Sequence, residues 1–317
     1  MFAIRQIYRA LLVSLCLALS CQAPEAQTAR KAFPAPEAAA QALVDAVKAG
    51  NEKETISILG PSLKEWIQSG DPVADKKTRE AFVEAYEQRH SIDSSAPDRS
   101  VMVIGDDDFP FPIPLVRSGN HWRFDPELGK QEIIDRRVGK NELDTIQTLL
   151  AISDAQSDYV ALDPEGKGAR EYAKKFISSP GEHNGLYWPA STTEPQSPLG
   201  ELAAAAEQSG YSRNAKRSAD RMTPFHGYYF KMLTEQGTHA PGGAYPYVVK
   251  GRMIGGFAVI AWPAKYAVSG YKTFMVSHDG FVYEADLGYR TARIASAFDS
   301  FDPGEGWTKV DLKAEEK

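Results

Sequence analysis

The spacing of hydrophobic and polar residues predicts a first unit in which helices are followed by strands. Over residues 36–50, apolar side chains recur every three or four positions, which is typical of an amphipathic helix. A second helical pattern continues beyond it, and a third begins near Asp75. The apolar residues then alternate, and turn residues at 118–120 separate the last two of three short strands. We therefore predict an α+β unit over 36–138, NTF2-like or cystatin-like, with N-terminal helices and a small antiparallel sheet.

A second α+β unit is predicted over residues 139–312. Apolar residues at helical spacing over 143–159 predict a long helix, and a shorter helix is expected over 171–177. The segment 257–262 (FAVIAW) is apolar at every position, as expected of a strand that is buried on both faces. Asp279-Gly280 lies between two apolar runs and predicts a β-hairpin. The pattern indicates a long helix packed on a C-terminal antiparallel sheet.

The first 21 residues have the pattern of an export signal. Arg5 and Arg9 precede the mainly apolar segment 10–20 (ALLVSLCLALS), which is too short to cross a bilayer and typical of a signal peptide. Residues 22–35 form a linker rich in Ala, Pro and Gln, and residues 313–317 form a short tail. We therefore expect export to the bacterial periplasm or outer envelope.

Two ways of processing this signal remain open. The segment 17–21 (LALSC) is similar to a bacterial lipobox, in which Cys21 becomes the lipidated first residue, although Ala18 stands where leucine is usual. Cleavage after a small residue such as Ala23 would instead release a soluble protein. Contact with a membrane is thus expected only through a lipid anchor at Cys21.

Composition and charge narrow the classes of function. The chain is 43% hydrophobic and 25% charged, which is typical of a globular protein. It carries 36 basic and 42 acidic residues, and without the two arginines of the signal the net charge is −8. We expect no nucleic-acid partner, because the phosphate backbone attracts positively charged surfaces. Both cysteines, Cys16 and Cys21, lie in the signal, which excludes disulfides, thiolate nucleophiles and cysteine metal sites from the remaining chain.

Candidate catalytic chemistry is sparse. His226 opens a strand among tyrosines, where it is either a general base or ligand, or a structural histidine at a strand edge. The six histidines show no close metal-ligand spacing, and no nucleotide-loop or GxSxG motif is present. The segment 163–168 (DPEGKG) is similar to the start of a calcium loop, but Lys167 occupies a ligand position, so we interpret it as a turn. No metal and no cofactor are expected.

Aromatic residues in glycine-rich loops are the candidate binding residues. Tyr187 and Trp188 lie in one such loop and Tyr245 in another, and Tyr228 begins a strand. Their rings are suited to stacking on a sugar or a peptide, or to fastening the loops onto the core. The expected partner is an envelope protein or a glycan, neither of which the sequence identifies.

Seven segments together resemble a bacterial family of exported proteins, domain of unknown function 2950, over the whole chain from residue 33 onward. The segments are 69–75 (SGDPVAD), 109–115 (FPFPIPL), 139–143 (GKNEL), 179–181 with 184–189 (SPG with NGLYWP), 225–230 (FHGYYF), 240–245 (APGGAY) and 251–257 (GRMIGGF). The resemblance implies an exported bacterial protein with no assigned activity, and therefore supplies no catalytic residues.

A second resemblance concerns architecture alone. The helix with Ala155-Gln156 and Tyr159, the following 171–173 (EYA) and strands that end at Asp279-Gly280 are similar to the head of type IV pilins and pseudopilins. The signal lies about a hundred residues before this helix and so cannot serve as a pilin stem.

These observations favour a non-catalytic binding or scaffolding protein of the bacterial envelope. The alternative is an envelope hydrolase that acts on a glycan or peptide with His226 and nearby carboxylates; a third hypothesis is a lipid-anchored assembly factor. The sequence leaves open whether the protein is an enzyme. A hydrolase predicts a pocket where His226 meets an acidic side chain, whereas a binding protein predicts an exposed aromatic surface around Tyr187, Trp188 and Tyr245.

Overall fold

The computed structural model describes residues 30–168, 170–193, 195–211 and 223–312. The predicted signal peptide with Cys21, most of the predicted linker and the tail 313–317 lie outside these ranges. Within them, no helix combines the length and the hydropathy needed to cross a membrane.

The first unit begins with four helices. They are α1 (Pro36–Lys48), α2 (Glu52–Leu59), α3 (Lys64–Ile67) and α4 (Pro72–Gln88). Helix α4 begins three residues before the predicted start, because the Asp71 carboxylate accepts hydrogen bonds from the N–H groups of Val73 and Ala74 and Pro72 occupies the first turn.

An antiparallel sheet follows these helices. Its strands are β1 (His90–Ala96), β2 (Arg99–Ile104), β3 (Phe109–Pro110), β4 (Leu115–Ser118) and β5 (His121–Phe124). The order is β1-β2-β4-β5, and β3 pairs with β2. Leu43 and Ile58 of the helices pack against Met102, Leu115 and Phe124 of the sheet, so one apolar core holds the unit together.

Helix α5 (Pro126–Leu162) passes from the first unit to the second without a break. It is capped by Asp125, whose carboxylate accepts a hydrogen bond from the N–H of Glu127. The predicted boundary between 138 and 139 falls inside this helix, and the division into two domains stays a prediction. The second half of α5 buries Ile146, Leu149 and Ile152 in the core of the second unit.

The second unit is built on a five-stranded antiparallel sheet. The strands are β6 (Tyr228–Leu233), β11 (Ala258–Pro263), β12 (Lys272–Ser277), β13 (Val282–Asp286) and β15 (Thr308–Lys309), in the order β15-β13-β12-β11-β6. All six residues of β11 are buried, and β12 and β13 form the hairpin around Asp279-Gly280, as predicted. The α+β fold, with a long helix packed on a C-terminal antiparallel sheet, is thereby confirmed.

Short elements surround this sheet. They are α6 (Gly200–Gln208), β7 (Glu235–Gln236), β8 (Tyr245–Pro246), β9 (Val248–Val249), β10 (Arg252–Met253), α7 (Thr291–Ser296) and β14 (Ser300–Phe301). One face of the sheet packs against α5 through Tyr228 and Phe274, and the opposite face packs against Ala295 of α7 through Ile260 and Met275.

The predicted helix over 171–177 is not formed. Gln156 of α5 is buried, and its side-chain amide donates to the carbonyl of Ala173 at 2.8 Å and accepts from the N–H of Ala173 at 2.9 Å. The N–H of Tyr172 donates to the carbonyl of Met253 at 2.8 Å. These bonds hold the segment in a non-helical conformation against α5, which overrides the helical spacing of its apolar residues.

Candidate functional site

Asp71 joins the two units. It is only 1% exposed, and besides capping α4 it accepts hydrogen bonds from the hydroxyl of Tyr211 at 2.7 Å and from the N–H of Gly227 at 3.0 Å. Burial and the bond to Asp71 raise the pKa of the Tyr211 phenol well above its ordinary value, so the phenol remains a donor. A buried carboxylate is tolerated here because donors surround it.

His226 meets an acidic side chain beside this joint. The imidazole Nδ1 of His226 lies 3.2 Å from Oδ2 of Asp144 on α5. The backbone N–H of His226 donates a hydrogen bond to the hydroxyl of Tyr211 at 3.2 Å. Burial raises the pKa of Asp144, but the hydrogen bonds and charges of His226 and Lys140 outweigh that effect and lower it below the ordinary value. The backbone of His226 has a φ of 50°, a left-handed conformation that costs a residue with a side chain about 1 kcal/mol or more.

One turn of α5 holds two loops of the second unit in place. Asn141 donates to the carbonyl of Ser269 at 2.8 Å. Glu142 accepts from the N–H groups of Tyr271 and Lys272 at 2.9 and 3.0 Å. Together with the contact between the carboxylate of Asp144 and the imidazole of His226, these bonds fix the turn before β6 and the loop between β11 and β12. Three segments that carry the family resemblance, 69–75, 139–143 and 225–230, meet at this point.

The pair formed by His226 and Asp144 has the geometry of a general base oriented by a carboxylate. The histidine side chain is about one-third exposed, which allows a proton to exchange with solvent. Among the described residues, no serine or threonine hydroxyl forms a hydrogen bond with the imidazole, so the pair is suited to activating water rather than to a serine-type nucleophile.

Three of the four predicted binding residues are buried rather than exposed. Tyr187, Trp188 and Tyr228 pack in the core between α5 and the sheet. Their polar atoms bond to the protein: Trp188 donates to the carbonyl of Pro195 at 2.9 Å, and Tyr228 to that of Lys272 at 3.0 Å. This corrects the expected exposed surface, because these rings fasten loops onto the core. Whether they bind a partner stays a prediction.

The fourth, Tyr245, is half-buried. Its hydroxyl lies 3.4 Å from Nε2 of His278, and its ring contacts Tyr247 edge-on at 5.7 Å between centroids. Its binding role also remains untested.

A group of half-buried and exposed tyrosines that was not predicted from the sequence lies elsewhere on the second unit. Tyr266, Tyr271 and Tyr289, here called the tyrosine cluster, lie at one end of the β12–β13 hairpin. The ring of Tyr266 contacts that of Tyr289 at 5.1 Å and that of Tyr271 at 5.6 Å, both edge-on. Tyr289 is 90% exposed.

Asp286 and Glu142 hold the tyrosine cluster in a fixed geometry. Tyr266 donates to the carboxylate of Asp286, with distances of 3.0 and 3.2 Å to the two oxygens. Desolvation and this carboxylate raise the pKa of Tyr266 to about 12, so its hydroxyl stays protonated at neutral pH. The carboxylate of Glu142 accepts a hydrogen bond from the backbone N–H of Tyr271 and so fixes the position of that backbone. Tyr266 and the backbone of Tyr271 are therefore fixed by hydrogen bonds, whereas Tyr289 is positioned by its ring contact with Tyr266.

A polar cavity of about 140 Å³ lies at the end of α5. Its lining residues are Tyr159, Glu165, Lys167, Glu171, Tyr172, Lys174, Lys175 and Asn184. A larger groove of about 830 Å³ lies between α1 and α4, with Lys48 on the α1 side and both acidic and basic residues on the α4 side. His226 lines neither of these two depressions.

The described ranges contain no group of three or more histidine, cysteine or acidic side chains arranged to hold a metal ion. The turn predicted over 163–168 is confirmed. The Asp163 carboxylate accepts from the N–H groups of Lys167 at 3.0 Å and Gly168 at 2.8 Å, so its oxygens close the turn.

A family model described as "Protein of unknown function (DUF2950)" matches residues 30–310. The chain belongs to this family. The DUF2950 match confirms the resemblance and covers both units, so the joint at Asp71, the tyrosine cluster and the polar cavity all lie within the family region. No curated protein and no solved structure matches the chain, and the family description assigns no activity.

Proposed function

We propose that the protein is an exported protein of the bacterial envelope that binds a glycan through the tyrosine cluster and does not act on it chemically. The observation that carries the proposal is the ring of Tyr289, which is 90% exposed and yet held edge-on against Tyr266. A large aromatic ring presented to water beside other aromatic rings is typical of a binding surface.

The chemistry of the tyrosine cluster suits a sugar. The face of a pyranose ring is apolar and stacks on an aromatic ring, while its hydroxyls need acceptors nearby. The exposed carboxylate of Asp286, which already accepts from Tyr266, offers such acceptors next to Tyr289. Because Tyr266 and the backbone of Tyr271 are fixed before binding, little conformational freedom is lost when a ligand binds.

The predicted export of the protein also favours a glycan as its partner. The basic residues Arg5 and Arg9 followed by a short apolar segment favour transport out of the cytoplasm, where the glycans of the bacterial envelope are found. The negative charge of the chain favours a neutral or weakly charged ligand over nucleic acid.

The test is calorimetric titration with a tetramer of β-1,4-linked N-acetylglucosamine, combined with co-sedimentation on purified bacterial cell-wall glycan. We expect wild-type protein to bind at least one of them, and Tyr289→Ala to weaken that binding about tenfold through loss of the stacking ring. Phe281→Ala is the matched control, because Phe281 is an exposed aromatic at the opposite end of β13 and outside the cluster.

Failure of wild-type protein to bind either glycan, or equal binding by wild type and Tyr289→Ala, contradicts the proposal. Binding of an unstructured peptide that is lost in Tyr289→Ala, without binding of the glycans, would assign the tyrosine cluster to a peptide instead.

A second candidate function, hydrolysis, is supported by the 3.2 Å contact between His226 and Asp144. It ranks second because His226 lines neither the polar cavity nor the larger groove. Incubation with the same glycans is expected to release no new reducing ends. Release by wild type that is abolished in His226→Ala and retained in Tyr289→Ala would favour the hydrolase.

A further inference from the structure

We propose that the polar cavity at the end of α5 is a second ligand site, which binds a small oxyanion group, a carboxylate or a phosphate. The site is separate from the tyrosine cluster, and the proposal does not depend on the glycan.

Two lysines of the cavity wall have ammonium groups that contact only neutral oxygens among the described residues. Lys174 donates to the carbonyl of Gly251, and Lys175 donates to the hydroxyl of Ser179 at 2.8 Å. Both side chains are exposed at the rim. An ammonium group paired with a neutral acceptor keeps its full charge available to an anion.

The acidic side chains of the cavity are already matched by cations. Glu171 has a side chain that is 8% exposed, and it accepts from Nε of Arg252 at 2.9 Å and lies 3.7 Å from Nζ of Lys167. Glu165 lies 2.9 Å from the same Nζ of Lys167. Glu182 lies outside the lining and contacts the side-chain amide of Asn184. The carboxylates therefore leave the two rim lysines without a negative partner.

The lining residues carry three cations and two carboxylates. The cations are Lys167, Lys174 and Lys175, and the carboxylates are Glu165 and Glu171. Because the two carboxylates are paired with Lys167 and Arg252, the charges of the two rim lysines remain available to attract an anion.

An unsatisfied donor belongs to Arg252, which bonds to the lining residue Glu171. Nη2 of Arg252 is buried and has no hydrogen-bond partner within the part of the chain that the structure describes. A buried guanidinium N–H without an acceptor costs free energy, which an added acceptor would recover. Because Nε of the same guanidinium bonds to Glu171, this donor lies next to the cavity wall.

The volume of the polar cavity and its remaining lining residues suit a small ligand. A volume of about 140 Å³ suits a small oxyanion rather than a sugar chain. Tyr159 donates to the carbonyl of His183 at 2.8 Å, and burial raises its pKa above the ordinary value, so the phenol adds no negative charge.

The test is titration of the full chain with inorganic phosphate and, separately, with acetate at constant ionic strength, followed by calorimetry. We expect saturable binding of at least one anion, and at least about tenfold weaker binding by the double variant Lys174→Gln/Lys175→Gln, which loses both charge-assisted bonds. The matched control is Lys53→Gln/Lys77→Gln. It removes the same charge from exposed sites away from the cavity, and Lys77 also donates to a neutral hydroxyl, that of Ser209.

Binding of phosphate alone or acetate alone identifies the oxyanion. The proposal is overturned if wild type shows no saturable binding of either anion, or if both double variants lose affinity equally, since that would indicate a diffuse charge effect. Tyr289→Ala is expected to bind the anion with the same affinity as wild type. The proposal for the anion site and the proposal for the tyrosine cluster can therefore be tested independently. Near-ultraviolet circular dichroism checks that each variant is folded.

Discussion

Asp71 and Gly227 are 156 residues apart in the chain, and a carboxylate oxygen of Asp71 accepts a 3.0 Å hydrogen bond from the backbone N–H of Gly227. The same carboxylate caps α4 and accepts from Tyr211. One buried side chain therefore caps the N-terminus of α4 in the first unit and also fixes the turn that precedes the central sheet of the second unit.

Asp71→Ala is expected to lower the free energy of unfolding by about 2–4 kcal/mol, because it removes a helix cap and leaves two buried donors without an acceptor. Asp125→Ala is the control, since Asp125 caps α5 by a bond to the N–H of Glu127 near the surface and should cost only about 1 kcal/mol. Urea unfolding measures both. Equal losses would show that Asp71 acts as a cap alone.

Gly227→Ala tests the close approach of α5 to the turn before β6. Gly227 has a φ of 77°, and a β-carbon there would lie 2.6 Å from the side-chain nitrogen of Asn141. Gly280 has a φ of 75° and open space around it. Thermal unfolding should show a loss of about 1 kcal/mol for Gly280→Ala, from backbone strain alone, and a clearly larger loss for Gly227→Ala. Similar losses would mean that Asn141 moves aside at no cost.

The ion pair of Asp144 predicts a particular dependence of stability on pH. Its pKa is lowered in the folded protein, so the carboxylate stabilises the fold above the ordinary value of about 3.9 and loses that effect as the pH falls towards the folded pKa. Asp144→Asn should be less stable than wild type by about 1 kcal/mol at pH 7, with the difference shrinking below about pH 4. Urea unfolding across pH checks this.

Asp154→Asn is the control for that titration, since Asp154 is an exposed carboxylate on the same helix. It should differ from wild type by a small amount that changes little with pH. A difference for Asp144→Asn that grows as the solution is acidified would contradict the assignment.

Gln156→Leu is expected to cost about 2–4 kcal/mol, because it leaves both backbone groups of Ala173 without their partner inside the core. Gln131→Leu is the control, since Gln131 is exposed and bonds to Asp135, which lies on α5 as Gln131 does. Hydrogen exchange should show faster exchange at Ala173 in Gln156→Leu only. Unchanged protection there would mean that other contacts hold the segment.

Local patterns in the sequence predicted the helices, the β12–β13 hairpin and the buried strand β11, because each depends on neighbouring residues. The segment 171–177 was predicted wrongly, since Gln156 holds it from another element. Spacing also could not place Asp144 against His226, because the two are 82 residues apart and meet only through packing of α5 on the turn before β6.

The tyrosine cluster could not be found from the sequence for the same reason. Antiparallel pairing places Lys272 opposite Asp286, which brings Tyr271 just before one strand near Tyr289 just after the other. Tyr187 and Trp188 were predicted as binding residues because they follow Gly185 in a loop. Gly185, however, serves close packing, since a β-carbon there would lie 2.6 Å from the backbone nitrogen of Ser178. Composition of a loop does not reveal which way its rings face.

Helix α5 spans about 55 Å at 1.5 Å per residue, with no proline after its first residue to provide a bend. A hinge motion between the two units would have to bend α5 and, at the same time, break the hydrogen bond between Asp71 and Gly227. We therefore expect the two units to move as one body, so that the region around α1 stays at a set distance from the far end of the C-terminal sheet.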